Sequence, residues 1–312
     1  MASPAPRIAG PRVARDDFTR DTDLTTAELE RLLRLTAEVK RAPGRYRVSL
    51  AGQYLGMLFE KPSLRTRLTF ELAIKQLGGD AVVNTGPIGE REPIRDVARN
   101  MDRWTAAIVA RTFSQKTVDE LAHWAGVPVI NALSDLYHPC QAIADLFTLG
   151  ERFGRLRGLK LAFVGDGNNV AHSLMLSGGR LGVEVIVATP ADYEPDRSIV
   201  DEARRLAGAT PITVTRDPLE AVQGAHAVYT DVWASMGQER ETGRRRKDFE
   251  GHQVHERLMA RARPDAVFMH CLPARRGQET TDSVIESPQS VVFDQAGNRL
   301  HIQKALLLML LS

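Results

Sequence analysis

The stretch KLAFVGDGNNVAHSLMLSGGRLGVEVIVA, residues 160–188, decides the fold. A short apolar run, Lys160–Val164, leads through a turn rich in Gly, Asp and Asn into a segment with helical spacing. A second run, Glu184–Ala188, follows. Two strands joined through a helix run parallel, because the crossover returns the chain to the edge it started from. Ile212–Thr215, Ala227–Thr230 and 266–270 continue the alternation toward the C-terminus. In the first half, Tyr54–Phe59, 81–83, 107–109 and 127–130 show the same β-branched runs separated by amphipathic stretches. The expected class is therefore α/β, with two domains, each a doubly wound, mostly parallel sheet flanked by helices.

Length supports that division, since cores stop growing beyond roughly 250–300 residues and this chain has 312. The helical stretch Pro139–Phe153 is expected to bridge the two halves. The boundaries read as a flexible tail over 1–17, a first domain over 18–150, a second over 151–298, and a C-terminal helix over 299–312 packing back on the first domain. Forty-one Lys and Arg against 39 Asp and Glu give a net charge of only +2, so no broad basic face for nucleic acid is expected. The two cysteines, Cys140 and Cys271, are few and distant, and read as free thiols in a reducing compartment. The apolar run 305–311 is far shorter than the ~20 residues a membrane span needs. The opening residues lack an apolar segment of signal-peptide length and read as a loose tail, with a short organellar presequence as the alternative.

Chemistry-bearing residues collect where strands end and helices begin, the places at which open parallel sheets bind ligands. The first such place reads Phe59-Glu60-Lys61-Pro62-Ser63-Leu64-Arg65-Thr66-Arg67. With Ser63 as N-cap, free backbone N–H groups and the positive end of the helix dipole face the same volume as Arg65 and Thr66, which describes an anion site. An ordinary capped helix with solvated arginines is the alternative. At a second helix start, His138 and Gln141 lie three apart on one face, able to converge on a carbonyl or merely to cap the helix. Arg111, after the run 107–109, adds a positive group.

In the second half, Gly165-Asp166-Gly167-Asn168-Asn169-Val170 invites a dinucleotide-binding reading. Val170 occupies the third glycine position, and no acid follows the next strand, so that reading is weak. Asp231-Val232-Trp233-Ala234-Ser235-Met236-Gly237-Gln238-Glu239 follows another strand, and the charged run 240–247 behind it reads as a solvated loop first and a closing lid second. His270-Cys271-Leu272-Pro273-Ala274 ends the last strand, where Cys271 is either a small core residue or a border of the site.

These segments, in this order and spacing, resemble the aspartate/ornithine carbamoyltransferases. Ser63 to Arg67 is similar to the family's Ser-Thr-Arg-Thr-Arg, while His138 to Gln141 matches the His-Pro-Cys-Gln of its ornithine branch. Gly-Asp-Gly-Asn-Asn, the run 231–239 and His-Cys-Leu-Pro-Ala resemble further signatures of that branch, from about Phe18 to the C-terminus. The resemblance implies a carbamoyl phosphate site built from Ser63, Leu64, Arg65, Thr66, Arg111, His138, Gln141, Cys271, Leu272 and Arg299. It implies an ornithine site of Asn169, Asp231, Ser235 and Met236. Arg65, Arg111, His138, Asp231 and Cys271 would carry catalysis, with no metal and no cofactor.

The implied partners are carbamoyl phosphate and L-ornithine. The implied setting is a cytoplasmic homotrimer, or a multiple of trimers, serving arginine biosynthesis, with no nucleic acid and no membrane. Transfer is expected in a closing cleft between the domains, by attack of the neutral side-chain amine. An aspartate-specific relative would carry Arg-x-Gln-Lys-Glu-Arg and His-Pro-Leu-Pro, and neither occurs here. Putrescine or an acylated ornithine as acceptor, a nicotinamide-dependent oxidoreductase and a non-catalytic binding protein are the competing readings. Three departures from the pattern stand out: Leu64 for Thr, Pro87 where a Gln often reaches a neighbouring subunit, and Arg275 for His.

Overall fold

The computed structural model describes residues 17–234 and 239–312. The chain divides into two compact units, Met1–Cys140 with Asn298–Ser312, and Gln141–Gly297. It passes from the first to the second within the helix Pro139–Phe153 and returns within the helix Val292–Leu311. That last helix begins seven residues before the expected 299, so its first turns belong to the second unit.

In the first unit β1 (Tyr54–Phe59), β2 (Asp80–Thr85), β3 (Ala107–Arg111) and β4 (Val129–Leu133) form a parallel sheet in the order β2-β1-β3-β4. The chain leaves β1 toward one edge and later fills the other, which puts the switch point between β1 and β3. Phe59 pairs with Arg111 there, at the carboxyl ends of both strands. Arg111 is therefore the last residue of β3 rather than a residue following it. On one face the core gathers Leu58, Ala98, Ile108, Ala110, Val118, Leu121 and Val129.

The strand expected over 127–130 instead runs Val129–Leu133. Pro128 has no N–H to donate and contributes only its carbonyl, to Ile108 N. At the other end, Asn131 stays in the strand because its buried amide donates to the Thr19 carbonyl at 2.9 Å and Gln115 Oε1 at 3.0 Å. Asp17 is tied to the same strand, its Oδ1 accepting from Val129 N at 2.8 Å. Residues 1–16, the rest of the expected tail, lie outside the described residues.

The second unit holds β5 (Lys160–Val164), β6 (Glu184–Ala188), β7 (Ile212–Thr215), β8 (Ala227–Thr230) and β9 (Val267–His270), parallel, in the order β7-β6-β5-β8-β9. Its switch point lies between β5 and β8, from which the Gly165 loop and Asp231 emerge. The helix Asn169–Arg180 is buried from Val170 through Gly179. It turns into β6 through Gly182, whose φ of +80° a side chain would strain. No described helix is long and apolar enough to cross a membrane.

Candidate functional site

The first unit brings three of the expected residues into hydrogen-bond contact. The helix Arg65–Gln76 starts just beyond β1, so Thr66 sits in its first turn with its hydroxyl buried. Arg299 Nη2 donates to Thr66 Oγ1 at 2.7 Å, and Arg111 Nη1 approaches the same oxygen at 3.5 Å. All three are nearly inaccessible to solvent. Two guanidinium groups held at a helix start concentrate positive charge where that helix's own N–H groups already favour an anion.

His138 belongs to the same group. Burial, reinforced by the charges of Arg299 and Arg111, holds its imidazole well below the ordinary histidine range, so the ring is neutral at physiological pH. A neutral imidazole can donate one hydrogen bond without adding charge. Lys61, which sequence reasoning passed over, is a further buried cation on this loop, its Nζ 4.6 Å over the Phe113 ring. Glu60 fixes the loop, accepting from Ile88 N at 3.0 Å and from Phe113 N at 2.8 Å.

The cap of this helix departs from expectation. The N-cap position falls on Leu64, with helical dihedrals (φ −75°, ψ −61°) and no side-chain capping bond. Ser63 stands one residue too early for that role. The Leu64 side chain is 68% exposed, so the absent threonine hydroxyl leaves no hole in the core. Ser63 and Arg65 are half-buried. Cys140 belongs to the core, where burial pushes its thiol up to about 12 and makes it inert. A cavity of about 860 Å³ in this unit, against Tyr54, Val82, Pro87, Met101 and Trp104, contains none of the expected site residues.

In the second unit Asp231 is the centre. Its Oδ1 accepts from Cys271 Sγ at 3.1 Å and from Val232 N at 2.8 Å, while Oδ2 accepts from Asn168 Nδ2 at 2.8 Å. Asn168 is also the N-cap of the following helix, its Oδ1 accepting from Val170 N and Ala171 N. One amide thus caps the helix and orients the carboxylate. The sequence expectation names Asn169, as an ornithine contact, and not Asn168, although an Asn directly before a helical run is the usual cap signal. Asn169 opens the helix, half-buried. Gly167 is required by packing, because a Cβ there would lie 2.2 Å from Pro195 N.

The segment after β9 is held by a buried pair. Leu272 N donates to His270 Nδ1 at 2.9 Å, so the ring proton is on Nε2, which faces Glu279 Oε1 at 3.1 Å. Glu279 Oε1 also accepts from Arg275 N at 2.5 Å. The residue replacing the usual His is thus engaged through its backbone, which any side chain would provide. Leu272 adopts a positive φ of 58°, unusual for a branched residue and maintained by these bonds. Asp231, His270 and Cys271 bring possible metal-ligand atoms within 4.8 Å of one another. Both His270 nitrogens and both Asp231 oxygens already carry hydrogen bonds, so the trio reads as a bonded acceptor-and-thiol site.

The run 240–247 is largely helical rather than a loop, and most of it is solvent-exposed. The helix Thr242–Asp248 buries Arg245, which donates to Asp166 Oδ2 and to the Trp233 carbonyl, each at 2.8 Å, and from Nε to Glu241 at 2.8 Å. Its guanidinium also lies 4.8 Å over the Tyr193 ring. Burial raises the Asp166 carboxyl to about 6 in spite of the opposing pull of Arg245. Ser235 and Met236 lie outside the described residues. Gln141 opens the second unit, and its amide Nε2 donates to Asp145 Oδ1 at 2.7 Å.

Two family models match the chain: aspartate/ornithine carbamoyltransferase, carbamoyl-P binding domain, over residues 16–151, and the Asp/Orn binding domain over 157–310. An ornithine carbamoyltransferase of Anoxybacillus flavithermus is 50% identical over 303 residues, covering 95% of this chain and 96% of that protein. The solved ornithine carbamoyltransferase of Pyrococcus furiosus superposes with a TM-score of 0.93 at 47% identity, covering 97% of this chain and 99% of that one. An acetylornithine transcarbamylase complexed with acetylcitrulline superposes at 0.85 but shares only 32% identity, covering 95% and 99%.

Proposed function

The chain belongs to the aspartate/ornithine carbamoyltransferase family, and we propose that within it this protein transfers the carbamoyl group of carbamoyl phosphate to the side-chain amine of L-ornithine, forming L-citrulline and phosphate. The observation that carries this reading is the buried convergence of Arg299 and Arg111 on Thr66 beside a neutral His138. Such a group suits a substrate with an anionic phosphoryl end and a carbonyl needing uncharged or cationic donors. Ser63, Arg65 and the Leu64 backbone complete the proposed phosphate cradle.

In the proposed mechanism the amine lone pair attacks the carbamoyl carbon, and the carbonyl oxygen takes negative charge as the tetrahedral species forms. Thr66, His138 and Arg111 donate to that oxygen, a role in which losing one donor typically costs about 10²–10³ in rate. The C–O bond to phosphate then breaks, phosphate leaves with the electron pair, and the nitrogen releases its proton. A lysine-like ammonium has a pKa of about 10.4, so the neutral amine must be selected or created. Asp231 and Cys271 are our candidates for gripping ornithine as it sheds that proton, together with Asn169, Ser235 and Met236. We place Leu272 and Gln141 at the carbamoyl group, and the transfer in a cleft that closes over both ligands. A homotrimer in the cytoplasm, working toward arginine, is the setting that the family resemblance implies.

A colorimetric citrulline assay with carbamoyl phosphate against ornithine, putrescine, acetylornithine and aspartate tests the assignment. Ornithine is expected to be preferred, with turnover rising above neutral pH. Preference for any of the other three acceptors overturns it.

A further inference from the structure

Asp145 lies one helical turn beyond Gln141 on the helix Pro139–Phe153 and is wholly buried. Three side-chain donors converge on it. Gln141 Nε2 and Gln295 Nε2 each donate to Oδ1 at 2.7 Å, and the Tyr229 hydroxyl donates to Oδ2 at 3.0 Å. Gln295 Nε2 also reaches the Tyr229 hydroxyl at 3.1 Å, and Gln295 Oε1 accepts from His270 N at 3.0 Å. Gln141, Tyr229 and Gln295 are as buried as Asp145 itself. Burial, followed by the charge of Asp145, holds the Tyr229 hydroxyl well above its ordinary range, so it stays a donor.

A primary amide can normally turn over and exchange its oxygen for its nitrogen. A carboxylate that only accepts hydrogen bonds removes this freedom from Gln141, because the turned amide would set oxygen against oxygen. Nε2 must face Asp145, and Oε1 must face away. That oxygen is buried and has no hydrogen-bond partner among the described residues. An acceptor left so in a folded chain is costly, and it suits a ligand that brings a donor.

We propose that Asp145 is a positioning residue: it locks the Gln141 amide with its oxygen outward, to accept from the NH₂ of the carbamoyl group, and through Gln295 it braces the backbone that leads into Cys271. This rests on the function proposed above and revises one part of the sequence expectation. One amide N–H of Gln141 is committed to Asp145, and the unpartnered group it presents is Oε1, an acceptor, which has nothing to offer the carbonyl oxygen. It reads the amide nitrogen instead, the feature that distinguishes carbamoyl phosphate from an acyl phosphate of the same shape.

Acetyl phosphate, with methyl in place of NH₂, is the probe. Calorimetric binding of carbamoyl phosphate and of acetyl phosphate at pH 7.5 gives a ratio of affinities that a general loss of structure leaves unchanged, whereas turning the amide lowers it. The wild-type protein is expected to prefer carbamoyl phosphate by about 3- to 10-fold, the worth of one neutral hydrogen bond. Gln141→Ala and Asp145→Ala should each bring the ratio near one, and the double variant should lose nothing more. Asp145→Asn should retain it within about twofold, because the new amide can turn its oxygen to both glutamines and its N–H to Tyr229.

Asp145→Ser, whose hydroxyl donates as readily as it accepts, repeats the test should Asp145→Ala not fold. In the wild-type protein, the Gln141 side-chain amide should exchange slowly with solvent deuterium. A wild-type ratio in the folded Asp145→Ala or Asp145→Ser variant, or exchange at the rate of an exposed amide, overturns the proposal. Failure of the wild-type protein to bind carbamoyl phosphate defeats the underlying functional reading instead.

Discussion

Arg245 Nη1 donates to Asp166 Oδ2 at 2.8 Å, so a buried ion pair fastens the helix Thr242–Asp248 to the loop that leaves β5. Arg245 also holds the Trp233 carbonyl. Here the cation is committed, and its partner titrates within reach of physiological pH.

The Asp166 carboxyl, raised by burial to about 6, binds its proton more readily in the folded chain than in the unfolded one. Its contribution to stability is therefore fullest below pH about 4 and is lost as pH climbs through about 6. Carboxyl carbon NMR should show an Asp166 midpoint near 6, moving higher in Arg245→Gln, which removes the opposing charge. A midpoint near 4 in the wild-type protein contradicts this account.

Arg299 both donates to Thr66 and depresses His138. Arg299→Gln should weaken carbamoyl phosphate binding by about 10- to 100-fold, the range expected for losing one charge-assisted hydrogen bond to phosphate. The same change should raise the His138 titration midpoint, although burial keeps it below the ordinary range. Calorimetry and imidazole nitrogen NMR read the two effects separately. Unchanged phosphate affinity would remove Arg299 from the site. Because the folded His138 resists protonation, it should also cost stability as pH falls below about 6.5, which His138→Gln would abolish.

Glu279 accepts from the His270 ring and from Arg275 N inside the core. Glu279→Ala strands both donors and should destabilise the chain by about 1–3 kcal/mol in urea unfolding. Glu279→Gln keeps an accepting oxygen toward both donors and should cost well under half as much. If the two variants unfold alike, the carboxylate is not what holds the segment around Leu272.

The strands were legible from the sequence because their signal is local: β-branched runs closed by Gly, Pro or Asn declare themselves within a few residues. So was the placement of Thr66, Asp231 and Cys271 beside strand ends or a helix start. The sheet order, with its switch points between β1 and β3 and between β5 and β8, was not, because pairing joins strands far apart in the chain. Nor was the choice of partner for each polar group. Whether Ser63 or Leu64 takes the cap, whether Asn168 turns its amide to Asp231, and whether Arg245 is solvated or buried all depend on what distant segments place nearby. A buried hydrogen bond is worth making only against a partner already held in place, and tertiary packing alone supplies such partners. The orientation of the Gln141 amide is the clearest case: its identity is written in the chain, but its polarity is decided by Asp145, Tyr229 and Gln295 packed together.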